Sequence, residues 1–355
     1  MSVIKANSYS VYVGAVSETF LQSGVDLSKY SAISILADEN TRKHCFPYLM
    51  QNVSGLEKAN VIEIPAGEDN KNLEMTAQIW EALTELGADR KCLLINLGGG
   101  VIGDMGGFVA STYMRGIDFI QVPTTLLSQV DASVGGKLGI DFEGYKNHIG
   151  VFNTPKAVFI DPNFLKTLDE RNFKSGFAEM LKHVLIADAK HWIKLAMLKS
   201  VDKKQIEKHI ETSIKIKNAV VSADFKESGV RKILNFGHTI GHAVESIFLE
   251  TDHELLHGEA VAIGMAVETC LSRNIGLMSD EEEEILSVLK KNFSLIKISS
   301  ETESEILELV KLDKKNSNGN LNFTLLSAIG KAEFNCEINE HQISEAIAKY
   351  NRFVK

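Results

Sequence analysis

The sequence contains few cysteines and no pair of them at metal-binding spacing. The four cysteines, Cys45, Cys92, Cys270 and Cys336, lie far apart and form no C-x-x-C motif. Zinc clusters and disulfide frameworks both need cysteines at characteristic spacings, so the sequence predicts neither. We expect four buried thiols in a reducing cytoplasm.

Long apolar runs are also absent. No segment approaches the roughly 20 apolar residues that a membrane-spanning helix needs. The N-terminal residues MSVIKANSYSVYVG have neither the basic start nor the unbroken apolar run of a secretory signal. The sequence therefore predicts a cytoplasmic protein with no membrane partner.

There is no excess of positive charge. The formal net charge is −9, whereas proteins that bind nucleic acids present basic surfaces to the phosphate backbone. A nucleic-acid partner is therefore not expected. Apolar residues make up 44% of the chain and charged residues 24%, which is the composition of an ordinary globular protein. At 355 residues the chain exceeds the roughly 250–300 residues beyond which one hydrophobic core usually stops growing, so two domains are expected.

The pattern of apolar residues changes along the chain. Short β-rich runs at residues 10–17, 31–38, 60–66, 92–97, 118–123 and 156–161 alternate with helical stretches, as in a parallel α/β sheet. Long helical patterns follow at 173–199, 203–223, 231–250, 257–276, 280–292, 302–312 and 339–350, interrupted by a predicted hairpin around Gly330-Lys331. We predict an α/β domain with a mostly parallel sheet over residues 1–161 and a mainly α-helical domain over residues 162–355.

A glycine-rich segment follows the apolar strand CLLINL. Gly98, Gly100 and Gly103 satisfy G-x-G-x-x-G between a predicted strand and a predicted helix, the context in which this motif binds a dinucleotide pyrophosphate. The alternative is a tight turn with close helix–sheet packing. The motif follows the fourth predicted strand, whereas the standard fingerprint follows the first. We therefore expect a Rossmann-like domain of non-standard topology.

Histidines and one glutamate in the second half have the spacing of metal ligands. His238 and His242 are four residues apart on one predicted helix face, His257 begins another helix, and Glu179 lies on a third. A carboxylate and two imidazoles would leave an open coordination position, as in catalytic zinc sites. No H-E-x-x-H motif is present, so a protease-type site is not supported. Spacing alone does not select two of the three histidines.

Cationic and amide side chains, together with one aspartate, cluster near these motifs although the protein is acidic. They suit recognition of an anionic substrate by phosphate or carboxylate contacts, while a solvated charged face explains any one of them taken singly. The cluster comprises Asp131, Lys137, Lys146 and Asn147 in the first half and Lys182, Lys217, Arg231 and Asn235 in the second.

The ordered set of motifs resembles the 3-dehydroquinate synthase family of the shikimate pathway, which belongs to the sugar phosphate cyclases. The motifs are GGGVIGD, PTTLL, VDASVGGK, KNHIGVF, GFAEMLKH, RKILNFGHTIGHAVE, HGEAVAIGM and LDKK, between about residues 31 and 330. The resemblance implies a lyase that converts 3-deoxy-D-arabino-heptulosonate 7-phosphate into 3-dehydroquinate and phosphate. It implies NAD, which is oxidised and reduced within each turnover, and Zn²⁺ or Co²⁺ as cofactors.

The resemblance also implies roles for individual residues. Glu179, His238 and His257 are expected to bind the metal ion. Lys137, Asn147 and His242 are expected around the substrate phosphate, with Arg115 reaching it from a neighbouring subunit of a homodimer. Lys217 and Arg231 are expected to bind the substrate carboxylate. The hydroxyl contacts implied are Asp131, Lys182 and Asn235, with one of Lys314 and Lys315. The NAD contacts implied are Asp38, Asn40, Glu68, Lys71, Gly99, Gly100, Val101, Asp104, Thr124, Thr125, Leu127 and Lys146.

Two departures and three alternatives accompany this interpretation. His148 stands where an apolar residue is expected, and His253 is a rival metal ligand to His257. The alternative functions are a sibling cyclase acting on a sugar phosphate without a carboxylate, a metal-dependent polyol dehydrogenase that releases NADH, and a binding module without activity. Lys217, Arg231 and Asn235 favour the acid substrate.

Overall fold

The computed structural model describes residues 1–143, 145–249, 251–314 and 321–355. Internal contacts divide the chain into two compact units, Met1–Asp169 and Glu170–Lys355. The first unit extends beyond residue 161 because the 3-10 turn Pro162–Thr167 places Phe164 in the same apolar cluster as the sheet strands.

The first unit contains a seven-stranded sheet in the order β1-β2-β9-β6-β5-β3-β4. Only β1 and β2 pair in antiparallel fashion, and the other pairs are parallel, so the expected mostly parallel sheet is confirmed. The strands are β1 (Ser2–Lys5), β2 (Ser10–Val13), β3 (Ile33–Asp38), β4 (Asn60–Ile64), β5 (Leu93–Gly98), β6 (Asp118–Pro123), β7 (Lys137–Phe142), β8 (Tyr145–Phe152) and β9 (Ala157–Ile160). Strands β7 and β8 form a separate hairpin. The apolar pattern of the sequence predicted no strand at β1 or at this hairpin.

Five helices accompany this sheet, and the sheet has an apolar cluster on each face. The helices are α1 (Val16–Ser23), α2 (Glu39–His44), α3 (Phe46–Asn52), α4 (Leu73–Glu85) and α5 (Gly100–Thr112). Neighbouring residues of one strand belong to opposite clusters, since Leu94 lies in one and Ile95 in the other. Strands buried on both faces read as continuous apolar runs, which explains why CLLINL was recognisable.

Helix α5 packs very closely on the sheet through glycines. A Cβ atom on Gly106 would lie 2.1 Å from Asn96 Oδ1, and one on Gly107 would lie 2.4 Å from Leu138. Larger residues would force the helix away from β5 and β7. The close-packing alternative for the glycine-rich segment therefore describes the helix interior correctly.

The second unit is mainly helical, as expected. Its elements are α6 (Glu170–Ala187), α7 (Ala189–Ala196), α8 (Lys203–Ala223), α9 (His238–Phe248), α10 (His257–Asn274), α11 (Glu282–Asn292), α12 (Ser300–Lys314), α13 (Glu340–Val354) and the hairpin strands β10 (Leu321–Ala328) and β11 (Lys331–Ile338). The predicted hairpin is confirmed, although its turn is Ile329-Gly330, one residue earlier than predicted. None of the described helices is long and apolar enough to cross a membrane.

Two predicted helices of this unit are wrong in their extent. The pattern at 173–199 forms two helices because the Asp188 side chain accepts from the backbone N–H of His191 and starts α7 there. The pattern at 231–250 begins as the 3-10 turn Val230–Asn235, and the α-helix starts only at His238, after Gly237 with φ +80°. Left-handed backbone of this kind interrupts a helix and favours glycine.

Candidate active site

Three helices of the second unit bring one carboxylate and two imidazoles together. Glu179 lies in α6 and is fully buried, while His238 and His257 are the first residues of α9 and α10. Glu179 Oε1 is 3.4 Å from His238 Nε2 and 3.5 Å from His257 Nε2. The three side chains form a group whose ligand atoms could bind one metal ion.

The separations of these atoms match a tetrahedral metal site. Metal–nitrogen and metal–oxygen bonds of about 2.0–2.2 Å at tetrahedral angles place neighbouring ligand atoms roughly 3.3–3.5 Å apart. The two measured distances, 3.4 Å and 3.5 Å, fall in this range. One carboxylate and two neutral imidazoles are a donor set that suits zinc or cobalt, so the residues present fit a divalent ion.

Glycines allow these helices to come close enough. A Cβ atom on Gly258 would lie 2.0 Å from the Ser175 carbonyl oxygen, and one on Gly264 would lie 2.0 Å from the Gly237 carbonyl oxygen. The backbone N–H of Gly258 donates to Ser175 Oγ at 2.9 Å. These contacts fix the starts of α9 and α10 beside α6, and thus place His238 and His257 next to Glu179.

The three groups have different electrostatic surroundings. Lys182, one turn after Glu179 on α6, forms an ion pair with Glu179 Oε2, so that Oε1 faces the imidazoles. Burial, reinforced by the Lys182 ammonium, holds the pKa of His238 well below its usual value. Burial acts to lower the pKa of His257 as well, but the carboxylates of Glu179 and Glu245 raise it to about 10.

The other two candidate histidines, His242 and His253, do not belong to the group that contains Glu179. The His242 ring centroid is 5.1 Å from that of His238 and 5.9 Å from that of His257, and His242 shares a second possible metal group with Glu245 and His257. His253 is exposed in the turn before α10 and belongs to none of the groups found among the described residues. Spacing alone did not select two of the three histidines His238, His242 and His257. In the structure, His238 and His257 are the two that share a possible metal group with Glu179.

In the first unit, the glycine-rich segment lines a cleft at the end of β5. Its lining comprises Gly98, Gly99, Gly100, Gly103, Gln121, Pro123, Ser128, Ala132 and Ser133. A Cβ atom on Gly98 would lie 2.4 Å from Ile102, and one on Gly99 would lie 3.1 Å from Thr125. None of the described side chains caps the N-terminus of α5, whose first N–H groups have no partner within the helix. Bare backbone and a helix start fit the pyrophosphate of a dinucleotide.

Lys71 joins several residues of the expected nucleotide and substrate sets. Its ammonium is 2.7 Å from Asp104 Oδ2 and 2.6 Å from Asn147 Oδ1, with Glu68 at 3.9 Å. The Asn147 backbone, at φ +52°, donates to Asp141 Oδ1 at 2.6 Å. Burial acts to lower the pKa of Lys71, but Asp104 and Glu68 raise it above its usual value.

The remaining nucleotide candidates lie in several elements of the same unit, among them the end of β3, the first turns of α2 and α5, and strand β8. Asp38 Oδ1 accepts from the backbone N–H of Thr41 at 2.8 Å and starts α2, while Asn40 is exposed. Thr125 Oγ1 is 2.9 Å from Ser128 Oγ. Four further candidates are at least partly buried on the same unit, namely Val101, Thr124, Leu127 and Lys146.

Comparison with known proteins identifies the family. Two family models, described as 3-dehydroquinate synthase N-terminal and C-terminal, match residues 61–175 and 176–316. The chain is 40% identical to a protein of Parabacteroides distasonis named 3-dehydroquinate synthase, over 93% of this chain and 94% of that one. The chain belongs to the 3-dehydroquinate synthase family. It is an enzyme of that type, and the resemblance stated from its motifs is confirmed.

Solved structures of related cyclases have the same fold as this member of the synthase family. The 2-epi-5-epi-valiolone synthase of Streptomyces hygroscopicus, solved with NAD⁺ and Zn²⁺, has a TM-score of 0.85 and 27% identity over 99% of both chains. A 2-deoxy-scyllo-inosose synthase, solved with carbaglucose-6-phosphate, NAD⁺ and Co²⁺, has a TM-score of 0.84 and 24% identity over 98% of this chain and 99% of that one.

The substrate candidates of this synthase-family chain are divided between the two units. In the second unit Lys182, Lys217 and Arg231 are buried, and Asn235 donates to Glu227 Oε1 at 2.8 Å. The turn that carries Arg231 contacts α8, which carries Lys217. Lys314 ends α12, where its side chain is not described, and Lys315 lies outside the described residues.

The substrate candidates of the first unit are more exposed to solvent than those of the second unit. Lys137 is exposed at the start of β7 and Asp131 is half-buried. Arg115 is exposed in a loop where Met114, Arg115 and Gly116 all have positive φ. His148, the expected departure from the family pattern, is exposed, and its ring centroid lies 5.3 Å from that of Tyr145.

Sequence reasoning missed two carboxylates beside the metal candidates. Glu245 Oε2 lies 3.1 Å from His257 Nδ1. Glu268 is fully buried and accepts from the backbone N–H groups of Gly237 at 2.6 Å and Ile240 at 3.1 Å, at the start of α9. A signal for Glu245 was available, since it lies seven residues after His238 and therefore on the same helix face.

Proposed function

We propose that this chain catalyses the 3-dehydroquinate synthase reaction, in which 3-deoxy-D-arabino-heptulosonate 7-phosphate gives 3-dehydroquinate and inorganic phosphate. Membership of the family supports the reaction class. The observation that carries the proposal is the placement of Glu179 Oε1 at 3.4 Å and 3.5 Å from the two imidazole nitrogens, as a tetrahedral divalent site requires.

Two cofactors complete the proposed site. When bound, NAD⁺ accepts a hydride from the substrate and returns it within the turnover, and the divalent cation polarises the hydroxyl that is oxidised. Glu179, His238 and His257 hold the cation, zinc in the first instance. The nucleotide is held by the cleft beside Gly99 and Gly100 and by the other ten nucleotide contacts that the family resemblance implies, all of them in the first unit.

The protein's cations bind the acidic groups of the substrate. Lys217 and Arg231 bind its carboxylate, and because both are buried their charges are weakly screened. Lys137, Asn147 and His242 bind its phosphate. Asp131, Lys182 and Asn235 bind and orient its hydroxyls, with one lysine of the pair at 314 and 315. Lys182 also keeps Glu179 Oε2 engaged, which leaves Oε1 directed at the imidazoles.

We further propose that the functional unit is a homodimer in which Arg115 of one subunit binds the substrate phosphate held by the other. The exposure of Arg115 and the positive φ of Met114 and Arg115 support this role, since backbone held in this uncommon conformation often marks functional loops. The cytoplasmic location expected from the sequence stays a prediction.

Phosphate release tests the proposed reaction. We expect purified protein with the heptulosonate phosphate, catalytic NAD⁺ and Zn²⁺ to release phosphate with many turnovers per NAD⁺ and no net absorbance at 340 nm. Glu179→Ala should reduce the rate by at least about a hundredfold, since it removes one of three metal ligands. The matched control is Glu282→Ala, which removes a partly buried carboxylate paired with Lys349 in the same unit and should leave the rate unchanged.

Two outcomes would contradict the proposal. Stoichiometric accumulation of NADH would indicate a polyol dehydrogenase. Turnover of sedoheptulose 7-phosphate in preference to the heptulosonate phosphate would indicate a sibling cyclase, because that sugar lacks the carboxylate for Lys217 and Arg231.

A further inference from the structure

Glu245 contacts the edge of His257 that faces away from Glu179. Its Oε2 lies 3.1 Å from His257 Nδ1, whereas Glu179 Oε1 lies 3.5 Å from His257 Nε2. The Glu245 side chain is 7% exposed, so water competes little for this contact. His257 therefore has a carboxylate on each of its two ring nitrogens.

This contact determines which nitrogen of His257 can bind a metal ion. A neutral imidazole carries one N–H and one lone pair, and a carboxylate only accepts hydrogen bonds. A histidine binds a metal ion as the neutral ring. In that form Glu245 holds the proton on Nδ1 and leaves the lone pair of Nε2 directed at the side where Glu179 lies. A carboxylate hydrogen-bonded to the N–H of a metal-binding histidine also makes the ring a stronger donor.

The other imidazole is held in the same orientation by a weaker partner. His238 Nδ1 lies 3.1 Å from the backbone carbonyl of Phe236, which accepts a hydrogen bond but carries no charge. Both rings therefore present Nε2 to Glu179. Only His257 has a charged acceptor behind it, so the two rings differ in donor strength.

The fold explains how Glu245 reaches His257. Glu245 lies two turns after His238 on α9, and α9 packs on α10, the helix that His257 begins. Gly264 lets the two backbones meet, since a Cβ atom there would lie 2.0 Å from the Gly237 carbonyl oxygen. One helix thus supplies both a candidate metal ligand and the group that orients the next one.

We propose that Glu245 is a positioning residue of the metal site, which fixes the tautomer and ring orientation of His257 and strengthens its binding to the ion. The proposal rests on the metal site of the proposed function but not on the identity of the substrate. Its rival is a direct ligand role for Glu245 in the group formed with His242 and His257, in which the metal ion would bind His257 Nδ1.

Zinc affinity without substrate tests the proposal. We expect Glu245→Ala to weaken Zn²⁺ binding, measured by chelator competition, by roughly 10–100-fold, as loss of such outer carboxylates does. Glu245→Gln keeps the shape and a neutral acceptor, so we expect a smaller loss. Glu282→Gln, which removes a partly buried carboxylate elsewhere in the same unit, is the matched control and should bind zinc as the parent does.

A second measurement separates positioning from direct ligation and from misfolding. In the zinc-bound parent, ¹⁵N NMR of the histidine rings should show His257 with a proton on Nδ1 and the metal ion on Nε2. Zinc affinities of Glu245→Ala and Glu245→Gln within twofold of the parent, or a metal ion on His257 Nδ1, would overturn the proposal. Should Glu245→Ala fold poorly, the isosteric Glu245→Gln and the parent spectrum still decide the question.

The same variants distinguish failure of the positioning role from failure of the proposed metal site. If Glu179→Ala binds zinc as the parent does, the metal site is wrong. If Glu179→Ala loses zinc while both Glu245 variants keep it, only the positioning role is wrong.

Discussion

Lys71 is an expected nucleotide contact, but its ammonium already binds two side chains of the protein. The sequence predicted it as a nucleotide contact, and in the structure its ammonium joins Asp104 and Asn147, residues expected to bind the nucleotide and the substrate phosphate. Its side chain is 4% exposed. Lys71 therefore links helix α5, which carries Asp104, to strand β8, which carries Asn147.

Replacing Lys71 should destabilise the first unit. Lys71→Met removes the Lys71 ammonium from the Asp104 carboxylate, which is 19% exposed, and we expect the free energy of unfolding to fall by about 1–3 kcal/mol. Urea unfolding measures the change. Lys29→Met is the matched control, because Lys29 is highly exposed and its pair with Asp26 is 3.5 Å long, so that no measurable change is expected. Equal unfolding midpoints for the two variants would show that the Lys71 contacts contribute no stability.

At the scale of secondary structure, the elements that could be predicted are those with a clear apolar pattern. The strands β3 to β6 were recognisable as short apolar, β-rich runs, and the helices α8 and α10 as apolar patterns too long for a strand. Strand β1 has four residues and one buried side chain, too little for a pattern. The hairpin β7–β8 has a mixed polar sequence around Glu143, and its exposed residues gave no alternation that could be distinguished from a loop.

The candidate metal site was largely predictable because each ligand lies on a helix with a clear motif. The spacing of Glu245 from His238 placed it on the same helix face, but its contact with His257 could not be predicted, because only the packing of α9 on α10 brings the two side chains together. The start of α9 was also missed, since the signal that ends the preceding turn is the positive φ of Gly237 rather than a side-chain cap.

The contact between α9 and α10 should control metal affinity. Gly264→Ala would place a Cβ atom 2.0 Å from the Gly237 carbonyl oxygen and 2.7 Å from the Gly241 nitrogen, and these backbone atoms can yield only if the helices separate. We expect a loss of stability of about 1–3 kcal/mol, as for other overpacked cores, and a zinc affinity at least tenfold weaker. Chelator competition and urea unfolding measure the two effects.

A matched variant isolates the helix spacing. Ala262→Gly, in the same helix, should lower stability by about 1 kcal/mol through helix propensity but keep the α9–α10 contact and the zinc affinity. If both variants lose zinc to the same extent, helix stability rather than spacing determines the affinity.

At the scale of the whole molecule, the candidate residues are distributed by function. The glycine-rich cleft and the nucleotide candidates both belong to the unit Met1–Asp169. All three candidate metal ligands belong to the unit Glu170–Lys355. The sequence predicted this division because the alternating β-rich runs end before the first metal motif. Assembly was expected only from the family resemblance, since a single exposed arginine has no periodic or compositional signal for the subunit in which it acts.

Mixing two inactive variants tests that assembly. Arg115→Ala removes the group proposed to reach a neighbouring subunit, and Glu179→Ala removes a metal ligand of its own subunit, so each homodimer should be inactive. In a mixed dimer one site keeps Glu179 and receives Arg115 of the partner subunit. Random exchange between two-fold symmetric dimers makes half of them mixed, with one of two sites complete, so about a quarter of the parental phosphate release should return.

The control is a mixture of Glu179→Ala with His257→Ala. Both changes lie in the same proposed metal site. Each subunit of a mixed dimer therefore lacks one metal ligand, and no activity should return. Native mass spectrometry verifies that mixed dimers form in both experiments. If mixed dimers of Arg115→Ala with Glu179→Ala form but are inactive, Arg115 acts within its own subunit or not at all. A monomeric protein with full activity would also exclude the arrangement, because no neighbour would then be present to supply the guanidinium.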